Sequence, residues 1–312
     1  MAEDFGGPEV LNEVLVDLPE PGTGDVTVEV RACGMNPPDY KHFGPGQDPS
    51  RLPLTVGYEV AGVIAALGPN TEIASGDAAV GDEVVVFQIG DGYSTAINAP
   101  GADVFAKPPT LTFPQGANLL MVGTTAAETL HVVGVSAGET VLVHGAAGGV
   151  GTSVVQQAKL LGAEVIGTAS DRDSAALKAL GGIPVRYGAG LEDRLRRAAP
   201  QGIDAAIDTV GVDEAIDASL ALVKDRQRIV STAAFGRAKQ DEFQVIGASN
   251  PRSGPFRAAA RPGILELAEQ GKLTVPIGQT FPLSEAPAAV QALRARHPYG
   301  KLALVADGFR AA

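Results

Sequence analysis

Residues 145–151 read Gly-Ala-Ala-Gly-Gly-Val-Gly and lie between an apolar β-branched run, TVLVH, and a helix-forming run, SVVQQAKLLG. Glycines at a strand-to-helix turn let backbone amides approach a ligand closely and let the helix start hard against the strand. A helix N-terminus leaves N–H groups without intrahelical acceptors and carries partial positive charge, so such a turn suits a phosphate. The chemistry implied is capture of a dinucleotide pyrophosphate by Ala147, Gly148, Gly149 and Val150, with Gly151 allowing close helix–strand packing. The spacing is not the bare G-x-G-x-x-G, since Ala146 stands where its first glycine would be.

The next expected strand ends Gly167-Thr168-Ala169-Ser170. An NAD-specific site places Asp or Glu there to bind the ribose 2′-hydroxyl. Here that position falls on Ala169, while Ser170 offers a hydroxyl and Arg172 a bidentate cation to a 2′-phosphate. Asp171 opposes this by its charge, but the balance points to NADPH as the cofactor. Further along, Thr209 and Phe235 follow later strands of the same series, where strand ends line a ligand crevice.

These residues need a doubly wound α/β scaffold, and the chain supplies one. From residue 140 onward strands and helices alternate: TVLVHG, then GVGTSVVQQAKLLG, AEVIGTAS, SAALKALGG, VRYG, LEDRLRRAAP, DAAIDTVG, DEAIDASLALV and RQRIVSTAAF. Alternation of this kind gives right-handed βαβ units and a parallel sheet. The first third instead reads as short strands separated by Pro and Gly turns: EVLVDL (13–18), VTVEVRA, VAGVIAAL and DEVVVF. A mixed tail follows, with a helix at GILELAEQ, an extended TFPL, another helix at AAVQALRAR and a last strand, KLALVAD.

The 312 residues carry 24 basic and 36 acidic side chains, a net charge of −12 with no basic cluster, so neither nucleic acid nor an anionic membrane is an expected partner. The opening MAEDFGGPEVLNE is acidic and reads as no signal peptide, and no run reaches the ~18 apolar residues of a membrane span. A cytoplasmic protein is expected. The single cysteine, Cys33, rules out an intramolecular disulfide and any multi-cysteine zinc site.

The AAGGVG turn after VLVHG, followed by QQAKLLGAEVIGTAS, resembles the medium-chain dehydrogenase/reductase superfamily in its zinc-independent quinone oxidoreductase (zeta-crystallin-like) branch. FGGPEVL, RACGMNPPDYK, LPLTVGYEVAGVIAALG, VGDEVVVF, AIDTVG and HPYGKLALV extend the resemblance, in order, over nearly the whole chain. It implies a β-rich GroES-like catalytic domain at 1–121, a Rossmann NADP-binding domain at 122–250, and a return to the catalytic domain at 251–312. It also implies a homodimer, and places Tyr187 near the adenosine ribose.

Zinc-dependent members of the superfamily use a Cys in the segment matching CGMNPPD and a His in a GHE motif. Those positions hold Asn36 and Tyr58 here, poor replacements for thiolate and imidazole, so no metal is expected. Among the histidines, His144 reads as structural, His131 lies on a helix, and His42 and His297 fall in loops. The NPPDYK segment is where the family brings side chains to the nicotinamide. Asn36 is a candidate for hydrogen-bonding the cofactor ribose or the acceptor carbonyl, and Tyr40 or Lys41 for donating a proton to that carbonyl or polarising it, while Asp39 reads as a turn cap. Without a Lewis acid, hydride transfer to an already electrophilic quinone or α,β-unsaturated carbonyl is the expected reaction. A tailoring enoyl reductase and a catalytically weak NADP-binding protein remain open beside it.

Overall fold

The computed structural model describes residues 1–87, 89–247, 250–295 and 299–306. In chain order, β1 (Asp25–Gly34) leads into α1 (Pro37–Lys41). Then come β2 (Glu59–Leu67), β3 (Glu83–Phe87), β4 (Ala96–Pro100), β5 (Val104–Ala106), α2 (Phe113–Gly116) and α3 (Leu119–Val132). The alternating region holds β6 (Thr140–His144), α4 (Gly149–Leu160), β7 (Glu164–Ala169), α5 (Ser174–Ala179), β8 (Ile183–Arg186) and α6 (Leu191–Ala198). It continues through β9 (Ala205–Asp208), α7 (Asp213–Leu222), β10 (Ile229–Ser231), α8 (Phe235–Asp241) and β11 (Gln244–Val245). Last are α9 (Ser253–Glu269), β12 (Ile277–Pro282), α10 (Ala286–Arg294) and β13 (Lys301–Val305).

Two compact units result, one of Met1–Met121 with Ala268–Ala312, the other of Val122–Leu267. In the first, a sheet runs β12-β13-β1-β2-β3-β5, with β4 also paired to β1. Its register places Cys33 of β1 opposite Val60 of β2 and Leu304 of β13. Val26, Val28 and Val30 are buried at alternate positions of β1, as a strand with one face on a core requires. Cys33 packs in that same core among Met35, Val60 and Leu304, and burial pushes its thiol up to about 12.

In the second unit six parallel strands take the order β11-β10-β9-β6-β7-β8. Counted from β6, that is 3-2-1-4-5-6 read from the β8 edge, the doubly wound Rossmann arrangement. Val141, Val143 and Ile207 belong to one apolar cluster, whereas Leu142 and Ala206 belong to another. Alternate residues thus serve opposite faces of the sheet, which is why these strands are apolar throughout instead of alternating.

Two expectations need correction. Residues 13–18 form no strand: they pair with no strand among the described residues, and Val14, Leu15, Val16 and Leu18 are exposed, Leu15 at 98%. A strand exists through backbone pairing, and β-branched composition alone supplies no partner. The expected helix at GILELAEQ begins much earlier, at Ser253, and runs through Pro262. Pro262 removes one helical hydrogen bond, yet Ile264 packs so closely on α3 that a Cβ on Gly123 would lie 2.6 Å from it. Tertiary packing therefore carries α9 across its weak point, and the chain stays in the second unit to Leu267, beyond the expected division at 250/251. No helix among the described residues is long and apolar enough to cross a membrane.

Candidate functional site

The β6–α4 turn is built by steric necessity. Gly145 has φ +74°, a conformation open to glycine at little cost. Gly148 is the N-cap of α4, donates to the Gly145 carbonyl at 2.9 Å, and accepts from the Thr152 amide at 2.8 Å. A Cβ on Gly151 would lie 2.1 Å from the Gly145 oxygen, so only glycine lets the helix start this close to β6. The amides of Gly149, Val150 and Gly151 occupy the first turn, where no preceding helical carbonyl is available. Ala147, Gly148, Gly149 and Val150 are all partly exposed, as a ligand cradle must be.

Neighbouring strand ends meet this turn. Thr209 Oγ1 donates to the His144 carbonyl at 2.8 Å, and the Gly145 amide donates to Thr168 Oγ1 at 3.1 Å. Ser170 follows β7, and its hydroxyl donates to Asp173 Oδ2 at 2.5 Å. Arg172 is exposed and pairs with Asp173 Oδ1 at 3.3 Å. The sequence reading passed over Arg186, which ends β8 opposite Ala169 and pairs with Asp171 at 3.2 Å. Strand register is what brings this cation beside the Ser170 loop. Tyr187 and Phe235, which follow β8 and β10, are 39% and 45% exposed, so Phe235 is not a core residue.

His144 is a framework group. It is buried, with Nε2 3.1 Å from Ser219 Oγ, and burial pulls its imidazole down to about 4, against the upward influence of Asp208. Asp208 accepts from the Val210 and Gly211 amides and from Ser231 Oγ, which fixes the loop after β9.

In the first unit, Asn36 is the N-cap of α1, and Tyr40 and Lys41 end that helix. Asn36 is 2% exposed, and both ends of its amide are engaged: Oδ1 accepts from Lys301 Nζ at 2.6 Å, while Nδ2 donates to Glu59 Oε1 at 2.8 Å. The amide expected to reach an acceptor is held inside the protein. Tyr40 is half-buried with the Arg294 guanidinium 5.8 Å from its ring centroid, whereas Lys41 is exposed.

Asp39 does cap the turn, its Oδ2 accepting from the Asn36 amide at 2.7 Å and from Tyr93 OH at 3.0 Å. Asp39 is 1% exposed, and its Oδ1 is buried without a hydrogen-bond partner among the described residues. Burial raises its carboxyl to about 7, against the lowering influence of the Asn36 amide, Tyr93 and Lys301. Burial likewise raises Glu59, whose Oε2 accepts from the Met121 amide at 3.0 Å, and lowers Lys301.

Of the four histidines, His42 contacts Tyr58 OH at 2.7 Å through Nε2, His131 stacks on Phe256, and His297 lies outside the described residues. Asn36 and Tyr58 are thus committed to other partners, and a divalent cation at Asn36 Oδ1 would meet the Lys301 ammonium already there. The residues do not fit a zinc ion. Among the described residues no group of three or more His, Cys, Asp or Glu could hold a metal.

The family profile described as "Alcohol dehydrogenase GroES-like domain" matches residues 22–177, and "Zinc-binding dehydrogenase" matches residues 184–304. The quinone oxidoreductase of Mus musculus is 31% identical over 301 residues, covering 91% of this chain and 89% of its own. The structure of Escherichia coli quinone oxidoreductase complexed with NADPH superposes with a TM-score of 0.83 at 27% identity, covering 97% of this chain and 98% of that one. The CurK enoyl reductase superposes with a TM-score of 0.84 at 27% identity, covering 97% of each chain. The chain belongs to the medium-chain dehydrogenase/reductase family, in its quinone oxidoreductase branch.

Proposed function

We propose that the protein is an NADPH-dependent reductase that delivers hydride, without a metal, to a quinone or another conjugated carbonyl. The observation that carries this reading is the β6–α4 turn, where glycine at 151 is obligatory and the first-turn amides of α4, having no intrahelical acceptor, suit a phosphate. Likeness to an NADPH-complexed quinone oxidoreductase supports the same cofactor. When bound, reduced nicotinamide supplies the hydride. Gly148, Gly149 and Val150, with Ala147, hold the pyrophosphate, and Thr209, Tyr187 and Phe235 border the site at neighbouring strand ends. Ser170 and Arg172 meet the 2′-phosphate, with Arg186 as a further cation beside them.

On the acceptor side, Tyr40 and Lys41 donate hydrogen bonds to the carbonyl oxygen as negative charge arrives there. Asn36 acts from within, by holding the turn that carries them. The homodimer rests on family resemblance alone. Likeness to an enoyl reductase favours a second reading, reduction of an enone in a biosynthetic series.

Consumption of NADPH and NADH against a panel of quinones and enones tests the proposal. Tyr40→Phe and Lys41→Met are expected to keep NADPH affinity, with at least one lowering turnover about 10²–10³-fold. Full turnover in both variants would assign catalysis to proximity alone.

A further inference from the structure

Lys301 opens β13 and lies 265 residues from Asn36 in sequence, yet its buried ammonium donates to Asn36 Oδ1 at 2.6 Å and to the Met35 carbonyl. A buried lysine is costly unless its donors are matched. The matching here is unusual, because an amide separates the ammonium from the carboxylate. The Asn36 oxygen faces the cation, and its N–H donates at 2.8 Å to Glu59 Oε1. Each end of the amide dipole therefore meets the charge it prefers, and turning Asn36 outward would take one hydrogen bond from each buried ion. Glu59 is fixed in turn by the Met121 amide, and the Asn36 backbone amide is capped by Asp39, itself held by Tyr93 OH.

We propose that Lys301 is a positioning residue: its ammonium, through Met35 and Asn36, fixes the turn that presents Tyr40 and Lys41. This rests on the reading that the turn meets the acceptor. Helical hydrogen bonding alone holds that turn weakly, since α1 is only five residues long. The charged relay supplies the missing restraint. It also explains why a strand from the far end of the chain belongs in the first unit, as its opening residue completes the network under α1.

The test uses the full chain carrying Lys301→Met, and Lys301→Met with Glu59→Gln, the second variant also removing the carboxylate that Asn36 links to the ammonium; Asp39, whose charged form Lys301 favours, is present in both. Hydrogen–deuterium exchange, NADPH affinity, and kcat and KM for 1,4-naphthoquinone and for an enone are measured. In the double variant the amides of Asp39 and His42, which donate to the Asn36 and Pro38 carbonyls, should exchange at least tenfold faster while β2 and β3 keep their protection. Affinity for NADPH should stay within about twofold, and kcat should fall tenfold or more. Unchanged exchange, unchanged kcat, or a loss of NADPH affinity as large as the loss of kcat would overturn the proposal. If the parent protein itself reduces neither acceptor, the functional reading fails, and the exchange result alone decides whether Lys301 fixes the turn.

Discussion

At the scale of single residues, charge and burial divide the candidates into those that can meet a ligand and those that hold others in place. Arg172 is exposed beside the Ser170 loop, where its guanidinium is within reach of a 2′-phosphate. Arg172→Ala should weaken NADPH binding by ~1.5–3 kcal/mol, about 10- to 150-fold, and leave NADH nearly unaffected. Titrating both cofactors into parent and variant checks this, and equal losses would remove Arg172 from phosphate recognition. Asp39 belongs to the other group. Its carboxyl lies near 7 in the folded protein against an ordinary 3.8, so folding favours the protonated form. That contribution to stability is complete below about pH 4 and is lost as pH rises to about 7. Asp39→Asn removes the dependence. Relative to the variant, the parent should lose roughly 1–4 kcal/mol between those limits. Denaturant titrations of both proteins at pH 4.5 and 8 measure the gap, and an equal gap at the two pH values would contradict the assignment.

The β6–α4 unit shows how an element can be dictated by a few atoms. The Gly145 oxygen stands where a Cβ on residue 151 would go, 2.1 Å away, and backbone cannot yield as a flexible side chain can. Gly151→Ala should force α4 away from β6, costing about 1–3 kcal/mol of stability and displacing the first-turn amides. Thermal melts together with cofactor titration test this, and an alanine variant with parental stability and affinity would refute it. By contrast, a Cβ on Gly148 would lie 3.3 Å from the same oxygen, so substitution there asks only for small adjustments and serves as the control for the melts alone, Gly148 being itself part of the proposed pyrophosphate turn. The element level is also where a sequence pattern can mislead. EVLVDL at 13–18 has the β-branched composition of a strand but lacks backbone pairing, whereas α9 crosses Pro262 because Ile264 has Gly123 to pack on.

For the molecule as a whole, ligand linkage connects the cofactor site to global stability. NADPH at a hundred times its dissociation constant should stabilise the folded state by ~2.7 kcal/mol, and NADH at the same concentration by less. Thermal shift measurements at matched concentrations check the order, and a larger shift with NADH would reverse the cofactor assignment. The sequence by itself determined the parallel sheet, the glycine turn with Ala147 to Val150, and the absence of an acidic residue at Ala169. Those features are local: strand and helix periodicity, steric allowance and residue type are written in consecutive positions. It did not reveal that Arg186 stands beside Asp171, that the Asn36 amide is turned inward, or that Lys301 and Glu59 complete its surroundings. Asn36 reads as a hydrogen-bonding group for cofactor ribose or acceptor because family resemblance puts the NPPDYK segment at the nicotinamide, and the sequence holds no sign of its partners. Only the tertiary structure decided which partners its amide has, since β13 pairs with β1 and carries a lysine under the turn from 265 residues away. Burial then settles the chemistry, because an ammonium and a carboxylate withdrawn from water must be matched by whatever polar group lies between them, and that group is Asn36.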